Sequence, residues 1–114
     1  MESILTTIKA MLGLAEDQTE FDAELIVHIN SVFTTLAQLG VGPSKGFYII
    51  DKADEWGDFM PSMDNIQAVK QYIFLKVRLV FDTASLGSAT LAAYERSAKE
   101  YEWRLNVIAE SNNE

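Results

Sequence analysis

The sequence contains no cysteine and only one histidine. Both residue types are common in catalytic and metal sites, so their scarcity limits the sites that this chain can form. Without cysteine the chain has no disulfide, no thiolate metal ligand and no cysteine nucleophile. The lone histidine, His28, lies at the edge of an apolar helical stripe and is expected to be a boundary or partly buried residue. We expect Asp22 and Glu24, the nearby acids, to point elsewhere on the helix. The sequence therefore predicts no metal and no cofactor.

Long apolar runs are also missing, since none approaches the ~20 residues that span a bilayer. The N-terminal apolar pattern is interrupted by Lys9, unlike the core of a signal peptide. No nucleophile elbow, P-loop, dinucleotide fingerprint or HExxH motif is present. Carboxylates occur in pairs, such as Asp54 with Glu55, but solvated linker charge is the favoured interpretation. We therefore predict that the protein is not an enzyme and does not enter a membrane.

What the sequence has in excess is acid, with a formal net charge of −8 over 114 residues. Residues 1–64 hold eleven acids and three bases, whereas residues 65–114 hold six of each, so the imbalance lies in the first half. Such acidity disfavours direct clamping of nucleic acid phosphates. A solvated face that maintains solubility is favoured over the lining of a passage that DNA crosses without binding.

Hydrophobic periodicity predicts an all-α fold, a small bundle of four main helices in a single domain over residues 1–110, with a frayed polar tail at 111–114. The four predicted helices cover residues 2–12, from Thr19 or Asp22 (the candidate caps) to Leu39, from Ser62 or Asp64 to Asp82, and Ser88–Ala109. A long loop with glycine and proline separates the second helix from the third. It is predicted to contain a short extended segment at Phe47–Ile50 and one helical turn near Asp54–Phe59.

The third helix is unusual because apolar residues cover more than one of its sides. Two stripes and two flanking aromatics run along it, at Ile66, Val69, Ile73, Val77 and Val80, at Tyr72, Leu75 and Leu79, and at Phe74 and Phe81. A narrow polar strip remains, formed by Asp64, Gln67, Gln71, Arg78 and Asp82. This pattern predicts a central helix that other helices, or a second copy, cover on three sides.

Two residues lie off the main stripes. Trp103 is nearly opposite the apolar seam of the last helix, with Val107 one turn later. Packing of Trp103 inside the chain, under the glycine-rich loop or the first helix, is slightly favoured over contact with another subunit. Arg78 is expected either to pair with Asp82 or to contact a partner from the polar strip.

The order of several sequence runs resembles the small head–tail connector proteins of tailed bacteriophages and prophages, also described as DNA-packaging or head-completion adaptors. These runs are FD at Phe21–Asp22, HINSVFTTLAQLGVGP at His28–Pro43, W-x-x-F at Trp56–Phe59, VKQYIFLKVRLVFD at Val69–Asp82 and EYEWRLN at Glu100–Asn106. The resemblance extends from Ile4 to Asn106. One departure is Thr83–Ala84, where the family pattern would have a proline-rich break.

The resemblance implies a helical virion protein, made in the bacterial cytoplasm and located at the head–tail junction. It would form a ring on the portal, dodecameric by resemblance, that extends the DNA channel and offers a platform to a tail or stopper protein. DNA would pass through without specific binding. We take Trp103, Val107, Arg78, Trp56 and Phe59 as candidate subunit or partner contacts. The alternative, motivated by the acidic first half, is a small acidic helical binding module, such as an antitoxin-like regulator.

Overall fold

The computed structural model describes residues 2–60, 62 and 64–112, and this part of the chain is helical without a β-strand. Five α-helices and one 3-10 turn follow in order: α1 Ile4–Met11, α2 Asp22–Gln38, α3 Trp56–Phe59, α4 Ile66–Arg78, the turn Thr83–Ser85, and α5 Ser88–Asn112. The predicted all-α class with four main helices is confirmed. No described helix combines the length and apolar character needed to cross a bilayer.

The predicted caps of α2 are corrected by the structure. The helix begins after Phe21 without a side-chain cap, and Asp22 is its first residue. The Asp22 carboxylate instead lies 2.9 Å from Nζ of Lys9 on α1, as an ion pair whose angles fall outside hydrogen-bond geometry. Lys9 is only 3% exposed, and its ammonium also donates to the backbone carbonyl of Glu16 at 3.0 Å. A buried cation needs such partners, so this cluster joins α1, the acidic linker and α2.

Helix α4 is the centre of the bundle, because it packs against α1, α2 and α5. The predicted coverage on three sides is confirmed, and its buried residues are Ile66, Val69, Tyr72, Ile73, Leu75 and Val77. The helix ends at Arg78, four residues before the predicted Asp82. Val80, assigned to the apolar stripe from the sequence, therefore lies beyond the helix and is 56% exposed.

Helix α5 packs along α4 through an apolar side that lies nearly opposite Trp103, as the sequence predicts. Ala98, Leu105 and Ala109 are buried there, and Tyr94 and Tyr101 pack against the same core. The helix continues to Asn112, three residues past the predicted Ala109 and into the predicted frayed tail. The rest of that tail, residues 113 and 114, lies outside the described residues.

The connection between α2 and α3 is held by side chains rather than by a hairpin. The Asn30 amide on α2 donates to the carbonyl of Ile49 at 3.0 Å and accepts from its N–H at 2.7 Å. Phe47 packs with Phe33 and Phe59, with ring centroids 5.0 and 5.3 Å apart. Buried backbone groups need hydrogen-bond partners, and Asn30 supplies them to a segment that pairs with no strand among the described residues.

Candidate contact surfaces

Two of the five predicted contact residues, Trp56 and Phe59, belong to the core instead. They are 0% and 1% exposed, so neither side chain offers area to a second chain in this structure. The Trp56 indole N–H donates to Thr7 Oγ1 at 3.0 Å, and Nζ of Lys70 lies 5.5 Å from its ring centroid. Backbone hydrogen bonds from Trp56 N–H to Glu2 and from Ile4 N–H to Asp54 fix α3 beside α1. The W-x-x-F motif is therefore a packing element.

Trp103 and Val107 are exposed, and the slightly favoured expectation that Trp103 packs inside the chain is wrong. Trp103 is 67% exposed and Val107 is 39% exposed, one turn apart on the side of α5 that faces away from α4. Arg96 and Lys99, both exposed, precede Trp103 by two turns and one turn, and Lys99 lies at the edge of this side, where it also borders a groove shared with Lys76 of α4. We call these four residues the α5 outer face. A tryptophan in water retains a large apolar area available for contact.

Arg78 is used within its own chain. One guanidinium nitrogen donates to the carbonyls of Phe81 and Asp82 at 2.6 and 2.7 Å, and the other donates to Ser85 Oγ at 2.7 Å. The contact with Asp82 is thus to its backbone, not to its carboxylate as expected for an ion pair. Asp82 has a left-handed φ of 55°. Arg78 therefore caps the end of α4 and fixes the turn at Thr83–Ser85.

A groove that the sequence did not reveal lies between the α1–α2 linker and the end of α4. It has a volume of about 430 Å³ and is lined by Leu14, Gln18, Phe21, Glu24, Phe81 and Asp82. The rings of Phe21 and Phe81 meet edge to face at 5.4 Å, and Phe21 is 36% exposed. We call this the aromatic groove. The FD pairs at positions 21–22 and 81–82 are the sequence signal that could have located it.

The segment after the glycine-rich loop forms a further exposed surface. Its side chains alternate, with Ile49 buried while Tyr48 and Ile50 are each 68% exposed. On α2, Val27 is 67% exposed and lies one turn before Asn30, which holds this segment. We call Tyr48, Ile50 and Val27 the loop edge. The alternation could not be predicted from the sequence, because all four residues of Phe47–Ile50 are apolar or aromatic.

His28 is a partly buried boundary residue, as predicted. Its Nε2 lies 3.6 Å from Oε2 of Glu24, so the expectation that Glu24 points elsewhere is wrong, because residues four apart share a helix face. No group of three or more histidine, aspartate and glutamate side chains suited to a metal ion occurs in the described ranges.

A family model described as "Phage connector protein" matches residues 4–112. The chain belongs to the phage connector protein family. No curated protein and no solved structure matches it. Family membership makes this connector protein a virion component with a structural role, which interacts with other phage head or tail proteins. It gives no support to the alternative of an acidic regulatory module.

In this phage connector protein a partly buried hydrogen bond fixes α5 against α4. The hydroxyl of Tyr72, whose side chain is fully buried, donates to Oε2 of Glu102 at 2.7 Å. Burial raises the pKa of the Tyr72 hydroxyl above its ordinary value, and the hydrogen bond to Glu102 and the charge of that carboxylate raise it further. The contact therefore depends on a protonated tyrosine.

This raised pKa predicts a loss of stability at alkaline pH. Above the unfolded-state pKa of about 10, the unfolded tyrosine releases its proton while the folded one retains it. The free energy of unfolding should then fall by up to about 1.4 kcal/mol per pH unit from Tyr72 alone, and below pH about 10 this contribution should be fully present. Denaturant unfolding across this range measures the slope. Tyr72→Phe should remove this part of the slope, and equal slopes in both proteins would contradict the prediction.

Proposed function

We propose that this phage connector protein is a head–tail connector subunit that assembles as a ring on the portal. The ring extends the DNA channel and provides a platform for a tail or stopper protein. The family match over residues 4–112 carries the proposal. We further propose that the protein catalyses no reaction and that its role is mechanical.

The distribution of exposed apolar residues supports a subunit with several partners. The α5 outer face lies on the last helix, whereas the aromatic groove and the loop edge each combine a residue of α2 with residues of other segments around one buried core. A ring subunit needs two complementary faces for its neighbours and further area for the proteins above and below. Three separate surfaces meet this requirement, whereas a single patch would suit a simple dimer.

Charge supports passage of DNA rather than binding. A net charge of −8 leaves few uncompensated bases to neutralise phosphates, and affinity for DNA arises largely from such contacts. We propose that DNA crosses the ring without specific binding. The same charge limits non-specific association between free subunits before the portal is available.

Electron microscopy of the protein mixed with its portal tests this proposal, with portal alone as the control. We expect an added ring of density at one end of the portal, continuous with its channel. Sedimentation of the mixture should show the protein moving with the portal. A protein that stays separate from the portal at high concentration would overturn the proposal. A monomer in the absence of portal would not, because assembly on a partner is common in regulated complexes.

A further inference from the structure

We propose that neighbouring copies in the ring join head to tail, with the α5 outer face of one copy seated in the aromatic groove of the next. Trp103 enters the groove and packs on the exposed side of Phe21, whose ring is backed by the buried Phe81, and Lys99 meets the acids at the rim of the groove. This inference rests on the proposed ring function and names the partner of both surfaces as a second copy of the chain.

The first argument is the match between an aromatic projection and an aromatic depression. Trp103 is 67% exposed, the most exposed aromatic side chain on α5. The groove, of about 430 Å³, presents Leu14, Phe21 and Phe81 as its apolar wall. Interface energy concentrates where a tryptophan fills a pocket and loses its water. Offset or edge-on ring contacts add about 0.5–1.5 kcal/mol beyond buried area.

The second argument is charge. Glu24 and Asp82 line the groove, and the linker beside it adds exposed acids at Glu16, Asp17 and Glu20. On the α5 outer face, Arg96 and Lys99 lie on the N-terminal side of Trp103, and the ion pairs among the described residues use other bases. The acids of the groove and linker are thus opposite in charge to the two bases Arg96 and Lys99 on the α5 outer face.

The third argument is reach, which excludes the same contact inside one chain. Trp103 is fifteen residues beyond Ser88, the start of α5, and therefore about 22 Å along the axis. The groove residues Phe81 and Asp82 lie just before that start. The hydrogen bond from Tyr72 to Glu102 fixes the part of α5 that carries Trp103 beside Tyr72 on α4. Tyr72 lies nine residues before the groove residue Phe81 in the sequence, so Trp103 is held away from the groove of its own chain. Only the groove of another copy can receive Trp103.

These arguments favour a heterologous contact, in which the two surfaces differ. In an open row of copies, an α5 outer face stays unpaired at one end and an aromatic groove at the other. The row closes into a ring when the rotation from one copy to the next divides a full turn. A second copy provides complementary charge and an aromatic ring on one rigid helix. No other partner is needed to explain why one chain carries both surfaces.

Charge reversal tests the pairing on the assembled system, with wild-type portal present. Lys99→Glu and Glu24→Lys are exposed substitutions, so each variant should fold normally. Each should raise the concentration needed for ring formation about tenfold or more, because like charges then face each other. Both substitutions in one chain should restore assembly. Lys52→Glu, an exposed reversal outside both surfaces, is the matched control and should assemble like wild type.

Cross-linking gives a second readout that does not depend on charge. The chain has no native cysteine, so Glu24→Cys with Lys99→Cys places the only two thiols on the two surfaces. A short thiol-reactive cross-linker should yield a ladder of covalent multimers from portal-bound rings. Either single-cysteine variant should give no product beyond a dimer.

The outcomes separate this inference from the proposed function. Rings that form equally well with either single reversal, or a double variant no better than the singles, would overturn the pairing while the ring function stands. A cross-link from position 99 to the portal or a tail protein would also overturn it. A wild-type protein that never joins the portal would instead remove the proposed function, and this inference with it.

Discussion

Replacing Gly42 with alanine should lower the free energy of unfolding by about 2–5 kcal/mol. Gly42 has a φ of +88°, where an L-residue costs about 1–2 kcal/mol. A Cβ at this position would lie 2.3 Å from Cε1 of the buried Phe59 ring. Phe59 contacts Phe33 and Phe47, so relief would disturb the whole aromatic cluster. Denaturant unfolding followed by circular dichroism measures the loss.

The same loop provides a matched control for this substitution. Gly46 has a φ of +86°, but a Cβ there meets no atom within 4 Å. Gly46→Ala should therefore cost only the backbone strain, about 1–2 kcal/mol. The difference between the two variants isolates the contact with Phe59. Equal decreases in the free energy of unfolding for Gly42→Ala and Gly46→Ala would contradict the prediction. They would show that the loop can move away from the Phe59 ring at no cost in stability.

Local periodicity was sufficient to predict most of the helical architecture. The apolar stripe beside His28 on α2, the apolar seam opposite Trp103 on α5 and the coverage of α4 each follow from spacing within one segment. Boundaries were less accurate where side chains outside the periodic pattern decide them. The end of α4 is the clearest case, because Arg78 captures the carbonyls of Phe81 and Asp82 and turns the chain earlier than apolar spacing suggests.

The candidate site was harder to predict because exposure depends on contacts between distant parts of the sequence. Trp56 is buried by Thr7 and Lys70, which no local pattern connects to it. Trp103 remains mostly in water, although both tryptophans stand among charged residues in the sequence and no local pattern separates them. The aromatic groove likewise combines Phe21 and Phe81, sixty residues apart, and only the folded chain reveals it.

The two tryptophans should respond in opposite ways to truncation. Trp56→Ala should cost about 3–5 kcal/mol, because it leaves a cavity in the core and removes the donor to Thr7. A loss of this size is a large part of the 5–15 kcal/mol typical of a domain, so partial unfolding is expected. Trp103→Ala should change stability by no more than about 0.5 kcal/mol, because its ring is mostly in water. Thermal and denaturant unfolding of the free protein compare the two.

A quenching experiment distinguishes the two residues without any substitution, since the chain has only these two tryptophans. In the free protein a neutral quencher should reach Trp103 and leave Trp56 protected. On the portal the accessible fraction should disappear if Trp103 becomes buried between copies, while the buried signal of Trp56 stays constant. Trp103→Ala should then abolish ring formation but not folding. A Trp103→Ala protein that unfolds, or a Trp56→Ala protein as stable as wild type, would reverse the assignment of core and surface on which the proposed interface depends.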